Sequence, residues 1–330
     1  MDVSERVIFL AGGCFWGTEA FVRRLPGVVA TQVGYANGNG SNPSPSYEEV
    51  CSGATGCAET VRVSYDPATI SLALLLEAFL STIDPTSVNR QGADAGTQYR
   101  TGIWWEDPAD ERVVRGCLTR VARELPLGSA PVAVEAGPIC DFWPAEGYHQ
   151  GYLEANPGGY CHVDLGGAAR FVAAHEADFA IVREGYERAG EGALRERLDD
   201  LGWAVTQESA TEAPHSSPLD QDFRHGIYVD RASGEPLFSS ADKFDAGCGW
   251  PSFARPIARS QIMEYEDHRM ARPRTEVRSA VGDSHLGHVF ADGPEELGGL
   301  RYCINGAALE FVPLEEMDAR GYGYLKGLVE

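Results

Sequence analysis

The run Ala11-Gly-Gly-Cys-Phe-Trp-Gly-Thr-Glu19 sets Cys14 between an apolar stretch, "RVIFL", and a helix-like one, "TEAFVRRL". A thiol at the start of a helix meets unpaired N–H groups and the positive end of the helix dipole, and both favour the thiolate. Two glycines before it permit a tight turn and the close approach of a substrate. Phe15 and Trp16 supply an apolar wall beside the sulfur. The plainer alternative is a small core residue at a turn. Glu59 opens a strand-like run after "SGATGCAE", and a carboxylic acid kept neutral by burial can protonate a leaving oxygen. Asp94 and Tyr99 in "NRQGADAGTQYR", and Tyr47 in a Pro-rich loop, offer further hydrogen bonds.

A second constellation lies in "DKFDAGCGWPSF", "TEVRSAVGDSHLGHVF" and "LRYCINGAALEF". Arg301 and Cys303 are two apart on a strand-like run, so they share a face, and a guanidinium beside a thiol favours the thiolate. His285 and His288 can polarise an oxygen through ordered water, and Trp250 offers an apolar wall for a methyl group. An H-x-x-H spacing can also be half of a zinc site. No two cysteines lie close enough in sequence to complete it.

These residues need elements to hold them. In the first half, strand-like runs (Val7–Gly13, Val28–Ala36, Glu59–Pro67, Tyr99–Trp105) alternate with helix-like ones (Phe15–Leu25, Ser71–Ile83) in the order βαββαβ. That order is the split βαβ pattern of a ferredoxin-like plait. A helix at Pro108–Arg123 and a strand at Pro131–Ala136 extend it, and "YANGNGSNPSPSYEE" is a long polar loop. Arg183–Gly202 is charged and helix-prone. Beyond "ESATEAPHSSP" the chain reads as short strands punctuated by Gly, Pro, Asp and Ser. The expected class is α+β: an N-terminal ferredoxin-like α/β plait with extensions, then a mostly antiparallel β domain. The boundaries expected are 1–166, a charged helical linker over 167–192, and 193–330.

At 330 residues, two domains are the natural expectation. The net charge of −22 argues against a nucleic-acid partner, which needs clustered Lys and Arg. No run approaches the roughly 18 apolar residues of a membrane span. The acidic opening "MDVSERV" does not resemble a secretory signal, so the expected address is cytoplasmic. Eight cysteines occur without a C-x-x-C pair, so each is either a filler or a reactive group.

"GGCFWGTE", "YEEVCSGATGCAETVRVSYDP", "NRQGADAGTQYR" and "HQGYLEANPGGYC" together resemble peptide methionine sulfoxide reductase A over Arg6 to Asp164. The resemblance implies that Cys14 attacks the sulfoxide sulfur and emerges as a sulfenic acid. Phe15 and Trp16 would hold the substrate methyl, Glu59, Tyr47 and Tyr99 the oxygen, and Asp94 would support that network. Cys161 would then close a disulfide with Cys14. One departure stands out: the family usually has His where this chain has Cys57, read here as a passive replacement, with a second route for trapping the sulfenic acid as the alternative. Cys51, Cys117 and Cys140 are read as structural thiols.

The later motifs resemble methionine sulfoxide reductase B over Ala193 to Tyr324. This implies Cys303 as nucleophile, Cys248 as resolving thiol, His285, His288 and Asn305 at the oxygen, and Trp250 at the methyl. Many members bind structural zinc through two C-x-x-C pairs; here those positions correspond to Asp230, Ser233, Ser279 and Gly282, so structural zinc is not expected. Pro273 is a second departure, in a usually proline-free approach to a strand. A fused chain would reduce both sulfur epimers of methionine sulfoxide, free or in oxidised proteins, with a thioredoxin-like dithiol as reductant and no bound cofactor. Two rival readings are a thiol hydrolase, which gains nothing from a second cysteine in each domain, and a redox-sensing or sulfoxide-binding module without turnover.

Overall fold

The computed structural model describes residues 5–40 and 44–329. The first four residues of the acidic opening, and 41–43 of the polar loop, lie outside the described residues. The chain forms two compact units, Met1–Glu176 and Ala177–Glu330.

In the first unit, β1 (Arg6–Gly12) leads through Gly13 and Cys14 into α1 (Phe15–Val22), followed by β2 (Val28–Ala36). Then come α2 (Tyr47–Cys51), β3 (Ala58–Tyr65) and α3 (Leu72–Leu80). Two short strands, β4 (Arg90–Gln91) and β5 (Asp94–Ala95), form a hairpin before β6 (Thr101–Trp105). After α4 (Asp110–Glu124) come β7 (Glu135–Pro138), β8 (Phe142–Pro144), α5 (Tyr152–Ala155) and α6 (Gly167–Ala174).

The main sheet runs β7-β6-β1-β3-β2-β8, and its central order, β6-β1-β3-β2, is antiparallel throughout. It is the plait that the βαββαβ order predicts. β1 is central because Ile8, Leu10 and Ala11 are fully buried and Phe9 nearly so, which leaves neither face for water. Ser71 caps α3 by accepting from the Leu74 amide, and the apolar run after it is almost wholly buried. The expected strand at 131–136 is displaced to β7. Ala133 donates its amide to the Pro85 carbonyl, and parallel pairing with β6 begins only at Glu135.

The boundary falls at the first residue of α7 (Glu176–Glu184), and the second unit continues with α8 (Glu191–Arg197) and α9 (Asp200–Glu208). A three-stranded sheet combines β9 (Gly226–Asp230) and β10 (Pro236–Ser239) with β17 (Leu309–Pro313). A six-stranded sheet contains β11 (Lys243–Phe244), β12 (Ser252–Phe253), β13 (Ile262–Asp267), β14 (Arg274–Ser279), β15 (His285–Phe290) and β16 (Arg301–Ile304). Its order is β11-β12-β16-β15-β14-β13, antiparallel at every step. Tyr228, Phe238, Phe253, Ile262, Val277 and Leu286 form the fully buried heart of this unit. Sequence reading missed β13, whose "IMEYED" carries three acids. The structure buries Glu264 completely and pairs the strand along its full length with β14. No helix is long and apolar enough, among the described residues, to cross a membrane.

Candidate active sites

Cys14 caps the N-terminus of α1 in an extended conformation, with Gly13 before it at φ +85°. The strand must turn into the helix within these two residues, and glycine takes that φ without steric cost. Glu59 reaches the turn from β3: its Oε2 accepts the Phe15 amide at 3.0 Å. Burial pushes the Glu59 carboxyl up to about 8, so it is protonated at neutral pH. The Cys14 thiol differs from the sequence expectation. Burial, then the Glu59 charge, raise it to about 12, outweighing the Trp16 and Gly17 amides that pull it down. The helix start stabilises a thiolate as anticipated, but desolvation is the larger effect.

The charges of Glu59, Asp94 and Cys14 all bear on Tyr99, and those of Glu59 and Tyr99 on Tyr47. Burial raises both phenols, so each is a hydrogen-bond donor at any working pH. Phe15 is buried, and Trp16 stacks on Tyr152 with ring centroids 3.8 Å apart. These predicted residues therefore come together around Cys14. Cys161 also approaches. A Cβ on Gly17, one turn along α1, would lie 2.9 Å from Val163 Cγ2 and 3.2 Å from the Cys161 sulfur, so this glycine lets the Cys161–Val163 segment pack closely on the helix.

Sequence reading missed the residues that hold this cage. His149 is buried, accepts the Trp16 indole N–H at Nδ1 (3.2 Å), and packs against Phe15 and Tyr47. Burial keeps its pKa low and its ring neutral, as an acceptor must be. Glu146 accepts the Tyr47 amide (2.9 Å) and the Tyr35 hydroxyl (2.7 Å), fixing the start of α2. The only signal was position: His149 opens the "HQGY" motif and Glu146 lies three residues before it. Cys57 is buried against Gly38 and Thr55. Cys117 is buried in α4, whereas Cys51 and Cys140 are exposed and so are not core fillers.

In the second unit, Cys303 on β16 and Cys248 in the loop before β12 stand with sulfurs 3.7 Å apart. Burial and the neighbouring Cys248 raise the Cys303 thiol to about 12, against the pull of Arg301. Burial also pushes Cys248 up, but the Ser252 hydroxyl, the Trp250 backbone, Cys303 and Arg301 together hold it below the ordinary thiol value. Arg301 forms a two-point bond to Asp292 and lies over the Phe290 ring.

Each histidine has its own carboxylate. His285 Nδ1 is 2.6 Å from Glu276 and His288 Nε2 is 2.8 Å from Asp267. Asp267 also holds Arg269 and Arg274, which draws together the two ends of the loop containing Pro273. His285 Nε2 is buried and, among the described residues, has no hydrogen-bond partner. Asn305 is deployed differently from expectation. Its Oδ1 accepts the Glu212 amide and its Nδ2 donates to the Leu286 carbonyl, so it ties β15 to the Glu212 segment. Trp250 donates its indole N–H to the Glu212 carbonyl at 3.2 Å. Glu276 and Asp267 escaped sequence reading because each sits among charged neighbours, Glu276 in "RTEVR" and Asp267 in "EYEDHR", which read as a solvated face.

Asp230, Ser279 and Gly282 form one buried cluster with Glu235 and Ser284, joined by the partly exposed Ser233. Asp230 accepts the three serine hydroxyls, and Glu235 accepts the Val281 and Gly282 amides. One carboxylate and two hydroxyls, already bonded to one another, do not match the thiolate cage of a structural zinc. A Cβ on Gly282 would fall 1.8 Å from Asp230 Oδ2. Gly282→Ala therefore destabilises the second unit by about 2–3 kcal/mol. Calorimetric unfolding of the full chain checks this, and an unchanged melting profile would refute it.

Residues 6–178 match the family model described as peptide methionine sulfoxide reductase, and residues 198–313 match the SelR domain. Among solved structures, reduced Mxr1 from Saccharomyces cerevisiae is 40% identical over 49% of this chain and 91% of that one, with a TM-score of 0.45. Methionine sulfoxide reductase A of Corynebacterium diphtheriae is 37% identical over 48% and 77%, with a TM-score of 0.45. Mxr1 from Saccharomyces cerevisiae in complex with Trx2 is 27% identical over 46% and 87%, with a TM-score of 0.32. The chain belongs to the peptide methionine sulfoxide reductases, as a fusion of an A-type domain acting on the S epimer with a B-type domain acting on the R epimer.

Proposed function

We propose that each domain works through a nucleophilic and a resolving cysteine: Cys14 with Cys161 in the first, Cys303 with Cys248 in the second. We take the catalytic domains as 1–166 and 193–330, with 167–192 between them. In the first step the Cys14 sulfur attacks the sulfoxide sulfur and the oxygen passes to cysteine. Glu59 gives its proton to the sulfoxide oxygen as it leaves and takes the Cys14 thiol proton in exchange, so the products are methionine, a Cys14 sulfenic acid and a reprotonated Glu59; Tyr47 and Tyr99 bond to that oxygen and Asp94 supports them. Phe15 and Trp16 enclose the methyl group. Cys161 then attacks the sulfenic acid: the S–S bond forms, the S–O bond breaks, and water leaves.

Cys303 follows the same course. His285 and His288, each oriented by its carboxylate, serve the oxygen through water; Arg301 assists the thiolate, Trp250 lines the methyl site, and Asn305 fixes the wall behind it. Cys57 is a passive filler in this scheme, and neither a structural zinc nor a bound cofactor has a part in it. The spent disulfides require a dithiol donor of the thioredoxin class, which a reducing compartment such as the cytoplasm supplies. The substrate is methionine sulfoxide, free or within oxidised proteins.

The observation that carries this reading is the convergence of two cysteines at each site: sulfurs 3.7 Å apart in the second domain, and Cys161 packed one turn beyond Cys14 in the first. Peptide mapping after reaction with one pure epimer, without reductant, tests it. The S epimer is expected to give a Cys14–Cys161 disulfide and the R epimer Cys248–Cys303. A disulfide to Cys57, or both disulfides from one epimer, would sink the scheme.

A further inference from the structure

Asp94 is expected to support the network at the substrate oxygen, and two residues flanking Cys161 also converge on it. The Tyr160 hydroxyl donates to Asp94 Oδ2 at 3.3 Å, and His162 Nδ1 lies 3.4 Å from the same oxygen. His162 is not a surface residue. Its side chain is 11% exposed, its ring packs near Gly13, and its Cβ packs against the Gly92 turn of the β4–β5 hairpin. Both ring nitrogens are buried, and neither has a properly aligned hydrogen-bond partner among the described residues. A buried imidazole left in that state calls for an explanation beyond packing.

We propose that Tyr160 and His162 form a clamp that docks the resolving segment onto Asp94, so that one carboxylate couples the oxygen site to the resolving thiol. The inference rests on the assignment of Cys161 as the resolving cysteine. Cys161 lies between the two clamp residues, so fixing both neighbours fixes the path of its sulfur. That sulfur already sits against Gly17, one turn from the nucleophile. Attack on the Cys14 sulfenic acid needs an approach in line with the S–O bond that breaks as water departs. A segment tethered on both sides of the thiol holds that approach, whereas a free one must find it. His162 and Tyr160 are positioning residues: they touch neither substrate nor the reacting sulfurs.

Single-turnover experiments on the full chain with the S epimer separate the two steps. In His162→Phe, methionine is released at the wild-type rate, while Cys14–Cys161 disulfide formation slows by about tenfold. The sulfenic acid then persists and is captured by a cyclic 1,3-dione. Tyr160→Phe shows the same split, and His162→Asn, which keeps a donor near Asp94, recovers most of the disulfide rate. Disulfide formation at the wild-type rate in His162→Phe overturns the clamp. So does an equal slowing of methionine release and disulfide formation, or a His162→Asn chain no better than His162→Phe. Absence of a Cys14–Cys161 disulfide in the wild type overturns the assignment of Cys161, and the clamp with it.

Discussion

Cys14→Ser is expected to abolish loss of the S epimer while leaving R-epimer turnover at the wild-type rate, and Cys303→Ser to do the reverse. A serine oxygen cannot accept the sulfoxide oxygen, so no slower version of the same chemistry remains. The drop should exceed about 10³-fold, the background set by the assay rather than by residual catalysis. Ser differs from Cys by one small atom, and Cys14 makes no side-chain cap bond to α1, so the fold should survive the change. Chromatographic separation of the epimers, with a thioredoxin-class donor recycling both domains, gives the two rates in one reaction. Loss of both activities in one variant would mean that the sites are not independent reductases.

Glu59→Gln is expected to lower S-epimer turnover by about 10²- to 10³-fold, the usual range for a lost general acid. The amide oxygen of glutamine can still accept the Phe15 N–H, so the turn at Cys14 persists while the transferable proton is gone. The pH dependence has a definite sign. Burial raises the Glu59 carboxyl to about 8, so the protonated, donating form prevails below that pH and declines above it. Wild-type S-epimer activity should therefore fall as pH rises through about 8, and the Cys14 thiol, held near 12, ionises too late to offset the loss. The glutamine variant should lack this alkaline fall. R-epimer activity in the same samples is the internal control. A variant with wild-type turnover, or with the alkaline limb intact, would remove Glu59 from the acid role.

Much of this was legible in the chain itself. The alternation of apolar runs predicts the βαββαβ plait, and Cys14 stands out by its place at a glycine turn before a helix, whereas Glu59, Asp94, Tyr99 and Tyr47 are each weak signals alone and gain roles only through the resemblance of their motifs. What escaped belongs to tertiary structure. β13 reads as polar until Glu264 is seen to be buried. His149 is a lone histidine in a polar run until the fold brings it under Trp16. Asp267 is 21 residues from His288, a separation across which sequence spacing carries no contact information. The acidity of Cys14 was misjudged for the same reason. A helix N-terminus can be read from local sequence, but the desolvation that outweighs it comes from the layers packed around it.

The hydrogen-bonded cluster of Asp230, Glu235 and the three serines has a consequence for an enzyme that works amid oxidants. A zinc held by four thiolates is a structural element that the cell's oxidants attack: once the sulfurs climb the oxidation ladder, the metal is released and the fold goes with it. Carboxyl and hydroxyl groups have no accessible higher oxidation state under those conditions. Under the proposed scheme Cys248 and Cys303 are oxidised and re-reduced in every cycle, whereas this cluster holds its part of the fold through oxygen atoms that the same oxidants leave untouched.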